Sequence, residues 1–168
     1  LLDIGGGDGS FLRAVGARNR RLQLTLFDLP AVVEEAESRF RDAGLADRAR
    51  AVGGDFFADP LPEGADAISL VRVIYDHDDE AAMRLLGRVR EALPPGGTLI
   101  LAEAMEEMPG VSRVGDAYFG FYILAMTHGR PRSPARLAEM LSEAGFTDIR
   151  RQRTRRPVLT GLMTAKAG

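Results

Sequence analysis

The sequence contains no cysteine. Disulfides, thiolate zinc sites and a cysteine nucleophile are excluded together, and the composition fits a reducing compartment. Lysine is almost as scarce, since Lys166 stands alone and the rest of the 22 basic residues are arginines. That bias reads as codon usage rather than chemistry. No apolar run approaches the length of a membrane span, and the opening residues do not read as a signal peptide. A net charge of −2 provides no overall basic field for nucleic acid. The expectation is a cytoplasmic protein with no nucleic-acid partner and no metal site.

What is present fits one globular domain. A chain of 168 residues can bury roughly 70% of its unfolded surface. Its 45% hydrophobic content is ordinary, and its 27% charged residues are spread rather than blocked. Leu1 already lies inside a strand pattern, so the expectation is a fragment lacking an N-terminal part.

Short apolar runs alternate with amphipathic helices, which predicts parallel βαβ units. Strands are expected at Leu1–Ile4, Leu22–Phe27, Arg50–Val52, Ala67–Val73 and Thr98–Ala102. Helices are expected from about Ser10, over Val33 to Ala43 (with Ala36 or Glu37 inward), and from Asp78 or Asp79 to Leu93. Another starts at Ser133-Pro134 and stops at Gly145. Two last strands, near Thr147–Arg151 and Val158–Thr164, are expected to pair as an antiparallel hairpin at the sheet edge.

Asp3-x-Gly5-x-Gly7-x-Gly9 falls between the first strand and the first helix. Glycines there allow close approach of the backbone to a ligand. A nicotinamide fingerprint would put its third glycine where Ser10 stands. The spacing suits a ligand without a pyrophosphate. Asp28 ends the second strand about 20 residues on, where a ribose-binding acid is expected, and Asp55 with Phe56 follows the third strand, placed for an adenine. The plainer reading makes each a turn residue. Their common place at the carboxyl ends of successive strands favours one ligand crevice.

Leu2-Asp3-Ile4-Gly5-Gly6-Gly7-Asp8-Gly9, Phe27-Asp28-Leu29-Pro30, Gly54-Asp55-Phe56-Phe57 and Leu93-Pro94-Pro95-Gly96-Gly97 together resemble a known signature series. It is that of the S-adenosylmethionine-dependent O-methyltransferases of the caffeate and acetylserotonin type. A narrower likeness, in Val71–Asp79, Gly115–Tyr122 and Gly129–Ser133, is to the bacterial carotenoid branch, the hydroxyneurosporene (demethylspheroidene) O-methyltransferases. The resemblance implies a Rossmann-like class I methyltransferase fold, with a mostly parallel seven-stranded sheet and an antiparallel C-terminal hairpin. It implies S-adenosylmethionine with Gly5 and Gly7 forming the methionine-side turn, Asp28 as the ribose acid, Asp55 with Phe56 at the adenine, and Asp3 and Leu29 as further cofactor-binding residues. Arg72 is a further rim candidate, with a solvent-facing strand end as the competing reading.

The family's general base is a histidine in a His-Asp pair; here Tyr75-Asp76 stands in that place. A phenol, with an ordinary pKa of about 10, is a poor base at neutral pH. Glu103 matches one of the family's two supporting acids, and the other falls on Pro131. Tyr75, His77 and Glu103 are therefore the catalytic candidates, with His128 as an outside one, and proximity and orientation carry most of the rate.

Tyr118, Phe119, Phe121, Tyr122, Leu124 and Met126 read either as core or interface or as one wall of a hydrophobic acceptor site. The acceptor implied by the resemblance is a hydroxylated hydrophobic small molecule of the carotenoid kind. Arg150, Arg151, Arg153, Arg155 and Arg156 read as a solvated edge strand, or as a peripheral contact with an anionic membrane. The family's members are typically homodimers through an N-terminal helical domain. Two other functions remain open: a nicotinamide-dependent oxidoreductase, and a cofactor-binding domain without catalysis.

Overall fold

The computed structural model of the chain describes residues 1–106, 129–155 and 160–168. In chain order it runs through β1 (Leu2–Ile4), α1 (Ser10–Arg18), β2 (Leu24–Asp28), α2 (Pro30–Asp42), β3 (Ala49–Gly53) and β4 (Ala67–Val71). A 3₁₀ turn at Ile74–Asp76 leads to α3 (Asp79–Ala92) and β5 (Thr98–Glu103). The remaining described elements are α4 (Pro134–Glu143), β6 (Phe146–Gln152) and β7 (Gly161–Ala167).

The seven strands form one sheet in the order β3-β2-β1-β4-β5-β7-β6. Strands β1 to β5 pair in parallel, and β7 runs antiparallel to both β5 and β6. The mostly parallel sheet with an antiparallel hairpin is the architecture expected from the sequence. From β1 the chain builds outward to β2 and β3, then returns to lay β4 and β5 on the other side. The order thus reverses between β1 and β4, and open α/β sheets bind ligands at the carboxyl ends beside such a reversal.

Side-chain alternation divides the core. Leu2, Ile4, Ile68, Leu70, Leu99 and Leu101 pack on one face with α3 and α4. Leu24 and Leu26 pack on the other with Leu12 of α1 and Ala36 and Phe40 of α2. Asp3 and Ser69, one residue out of phase with the first set, therefore face α1 and α2, while Glu103 continues the row of Leu99 and Leu101. Asp78 caps α3 by accepting from Ala81 N–H, and Ser133 caps α4 by accepting from Arg136 N–H. The expected inner face of α3, Ala82, Leu85, Leu86 and Val89, is fully buried.

Several boundaries differ from expectation, β2 starting at Leu24 rather than Leu22 and α2 at Pro30 rather than Val33, and two of the differences have a local cause. Strand β4 stops at Val71 instead of Val73: Arg72 takes φ 60 and turns the chain out of the ladder, whereas β6 absorbs Asp148 at φ 47 through a register shift between Thr147 and Arg150. Strand β7 covers Gly161–Ala167 rather than Val158–Thr164, and Val158 lies outside the described residues. Its buried positions are Gly161, Met163, Ala165 and Ala167, mostly small residues with little apolar signal.

Candidate active site

The turn after β1 is shaped by its glycines. Gly7 and Gly9 sit at φ 56 and 74, which glycine adopts without a Cβ penalty. A Cβ on Gly7 would meet nothing within 4 Å, so the turn is open on that side. Gly7 N–H donates to Asp28 Oδ2 at 2.7 Å, and Leu29 N–H donates to Asp28 Oδ1 at 2.7 Å. Gly54 N–H donates to the Asp28 carbonyl at 2.9 Å. The loops leaving β1, β2 and β3 are therefore bonded to one another at Asp28. The Leu29 side chain is half-exposed.

Asp3 lies beneath this turn with no solvent exposure. Ser69 Oγ donates to its Oδ1 at 2.7 Å, while Oδ2 has no hydrogen-bond partner among the described residues. That orphaned oxygen sits against Gly6, where a Cβ would come within 2.7 Å of it. Burial pushes the carboxyl up to about 7, with the Ser69 hydrogen bond opposing and Asp28 adding to the shift.

After β3, Asp55 closes its own turn, accepting Phe57 N–H at 2.7 Å. The rings of Phe56 and Phe57 meet edge-on at 4.7 Å, and His77 meets both edge-on, at 5.7 and 5.1 Å. His77 thus stands on the Asp55–Phe56 side of the crevice. Burial depresses its pKa, with Asp76 and Asp78 partly offsetting.

Tyr75 is buried in the 3₁₀ turn, and its hydroxyl accepts from Arg72 Nη2 at 3.1 Å. The Arg72 guanidinium also lies 5.7 Å from the Tyr75 ring centre. Arg72 is anchored through its own N–H to the Ala102 carbonyl at 2.8 Å. Glu103 is 1% exposed and turns its Oε1 to the N–H groups of Ile74 and Val73, at 2.8 and 3.1 Å. Its Oε2, like Asp76 Oδ1, has no partner among the described residues.

Burial pushes the Glu103 carboxyl up to about 8 from its ordinary 4.5. The folded state thus holds this proton more tightly than the unfolded chain does. The associated stability is fully present below pH 4.5 and is lost as pH rises toward 8. Glu103→Gln keeps an Oε1 acceptor for both amides and removes the ionisation. Its stability relative to wild type is expected to improve between pH 5 and 8 by at most about 4 kcal/mol, at about 1.36 kcal/mol per pH unit. Parallel urea–pH slopes for the two proteins would show that Glu103 does not bind this proton.

Two residues that sequence reasoning passed over belong to the same end of the sheet. Arg132, 4% exposed, donates to the carbonyls of Ile74 and His77 at 3.0 and 2.8 Å and to Asp79 Oδ1 at 2.8 Å. Asp79 also pairs with Arg130 and Arg136, at 2.5 and 3.3 Å. Partial burial alone would raise the Asp79 carboxyl, but hydrogen bonds from Arg130 and Arg132 bring it down to about 2. These partners are about 50 residues apart in sequence, and only the Gly129–Ser133 likeness marked the arginine's neighbourhood. His128, the aromatic stretch at 118–126 and Arg156 lie outside the described residues. Exposed Arg150, Arg151, Arg153 and Arg155 lie on or just after the edge strand β6. Among the described residues no group of His, Asp or Glu is placed to hold a metal ion, and no helix is long and apolar enough to cross a membrane. A hollow of about 440 Å³ lined by Leu1, Gln23, Thr25, Arg48 and Glu63 opens at the opposite ends of the strands.

Comparison with known proteins gives a consistent picture. A family model described as an O-methyltransferase domain matches residues 1–147. Demethylspheroidene O-methyltransferase of Cereibacter sphaeroides is 52% identical over 165 residues, 98% of this chain and 44% of that protein. The aclacinomycin 10-hydroxylase RdmB of Streptomyces purpurascens is 37% identical over 147 residues, 87% of this chain and 39% of that protein. The crystal structure of human N-acetylserotonin methyltransferase in complex with SAM superposes with a TM-score of 0.87 at 29% identity, covering 99% of this chain and 47% of that one. The chain spans less than half the length of these proteins.

Proposed function

The chain belongs to the O-methyltransferase domain family, and from that premise we propose that it is the catalytic part of an enzyme that methylates a hydroxyl on a hydrophobic, carotenoid-like molecule, using S-adenosylmethionine. The observation that carries this reading is the junction at Asp28, where the three loops leaving β1, β2 and β3 meet by hydrogen bonds. Resemblance to demethylspheroidene O-methyltransferase supports the acceptor class.

The residues present fit the cofactor. Asp3 Oδ2, buried and unpartnered beneath the glycine turn, suits a cationic amine. Asp28 has the place of an acceptor for ribose hydroxyls, Gly7 leaves the turn open while Gly5 packs it against Val73, and Asp55 with Phe56 suits an adenine. S-adenosylmethionine, when bound, supplies a sulfonium methyl whose transfer leaves a neutral thioether. Tyr75 would then hold the acceptor hydroxyl, with Arg72 fixing the phenol oxygen; the hydroxyl proton would leave to water as the new O–C bond forms and the methyl–sulfur bond breaks, and alignment would supply most of the rate. His77, packed on Phe56 and Phe57, serves the cofactor side. Tyr75→Phe is expected to lower kcat about tenfold at saturating cofactor, whereas His77→Ala weakens S-adenosylhomocysteine binding with kcat nearly unchanged. The opposite pattern would assign the proton acceptor to His77.

A homodimer formed through residues outside this chain, a cytoplasmic setting and contact of the arginine edge with anionic lipid complete the reading. Likeness to a hydroxylase makes a direct test necessary. Calorimetric titration of the full-length protein with S-adenosylhomocysteine is expected to give saturable heat, and titration with NAD none. Methyl transfer to a hydroxylated carotenoid is expected in the same preparation. Heat with NAD alone would overturn the methyltransferase reading, and cofactor binding without turnover on any hydroxylated isoprenoid would leave a binding domain.

A further inference from the structure

The turn carrying Tyr75 is too short to hold itself. Its internal bonds are Asp76 N–H to Val73 O and His77 N–H to Ile74 O, both 3.2 Å. It begins directly after Arg72, whose backbone is left-handed. A three-residue helix leaves amides unsatisfied at its start and carbonyls at its end. Two front amides are taken by one buried ionisable side chain, and another, from a different part of the chain, meets the His77 carbonyl and adds a second donor to the Ile74 carbonyl that already accepts His77 N–H.

At the front, Glu103 Oε1 receives the amides of Val73 and Ile74. At the back, the Arg132 fork spans the carbonyls of Ile74 and His77, and its Nε is fixed by Asp79. Only a planar guanidinium presents donors in that arrangement; a lysine ammonium is a single point. Arg132 is itself tied into the sheet end, since Glu106 N–H donates to its carbonyl at 3.1 Å and Met105 forms a bridge with it. Next to it, Gly129 packs so closely on the turn that a Cβ there would overlap the Tyr75 carbonyl oxygen. Burying two such groups around three residues is costly; Arg132 is balanced by Asp79 and directs two of its donors to the turn's carbonyls, and the bonded oxygen of Glu103 accepts from the turn's amides.

We propose that Arg132, working against Glu103, positions the Tyr75 turn for methyl transfer. Arg132 is a positioning residue, acting through Tyr75 and the Arg72 side chain bonded to it, and the inference rests on the methyltransferase reading only for its kinetic consequence.

The test uses the full-length protein, with Arg132→Lys compared against Arg136→Lys, which shares Asp79 but touches no turn carbonyl. Amide exchange at Ile74 to His77 is expected to quicken at least tenfold in Arg132→Lys and to stay unchanged in Arg136→Lys. kcat for a hydroxylated carotenoid should fall about 10- to 100-fold, with KM and S-adenosylhomocysteine affinity within threefold. Gly129→Ala, which pushes on the same turn and leaves both Arg132 and Glu103 in place, should lower kcat by the same order and decides the matter if Arg132→Lys does not fold. Turn protection and kcat within threefold of wild type in the variant that folds would overturn the proposal. Exchange loosened at the turn in Arg132→Lys, together with a wild type that binds S-adenosylhomocysteine but turns over nothing, would instead sink the functional reading and leave the clamp standing.

Discussion

Asp28→Ala is expected to weaken S-adenosylhomocysteine binding by about two orders of magnitude or more, at about 1.4 kcal/mol per tenfold. Two losses add. The ribose hydroxyls lose a charged acceptor, where hydrogen bonds are worth about 1.5–3 kcal/mol each. Gly7 N–H and Leu29 N–H also lose the oxygens that hold them at 2.7 Å, so the glycine turn no longer stays in place. Asp28→Asn keeps one acceptor oxygen and should fall between alanine and wild type. Calorimetry on the three proteins, with circular dichroism to confirm folding, reads the series directly. Equal affinity in all three would remove Asp28 from the cofactor site.

The largest loss of stability is expected at Asp79→Asn. Arg132 is almost fully buried and relies on this carboxylate as its ionic partner among the described residues. Removing one member of a buried pair costs about 3–5 kcal/mol, and the carboxylate's 27% side-chain exposure puts the value near 3. For a domain of this size that lowers Tm by about 6–12 °C, at 2–4 °C per kcal/mol. The effect has a pH signature. The folded carboxyl is depressed to about 2 from 3.8, so its contribution is present above pH 3.8 and vanishes as pH falls through 2. Melting curves of variant and wild type should therefore differ most near neutral pH and converge in strong acid. A constant offset across that range would mean that Asp79 acts by shape and not by charge.

Local chemistry was readable where residues near in sequence act together. The Gly5–Gly9 turn, the Asp78 cap and the buried face of α3 each follow from spacing of a few residues, and the structure has them where expected. The sheet direction followed from the same pattern of short apolar runs and helices. What could not be read depends on long-range contact or on a single backbone angle. Nothing about Arg72 announces φ 60, yet that angle ends β4 and creates the turn. Arg132 and Asp79 are separated by 53 residues, and either alone looks like a solvated charge. Strand β7 was displaced by three residues because Ala165 and Ala167 bury as fully as Met163 while carrying almost no hydrophobic pattern. Glu103 was identified from the family likeness, but its engagement with backbone amides is visible only in three dimensions.

The position of β7 has a bearing on how the protein is made. It lies between β5 and β6, both of which are synthesised before it. Until Ala167 has cleared the ribosome, β6 has no neighbour to join and β5 carries an open flank. The two strands at this end of the sheet must wait for its keystone, and a nascent chain stalled near Thr160 would show the unsatisfied edges of β5 and β6 to chaperones or to other chains.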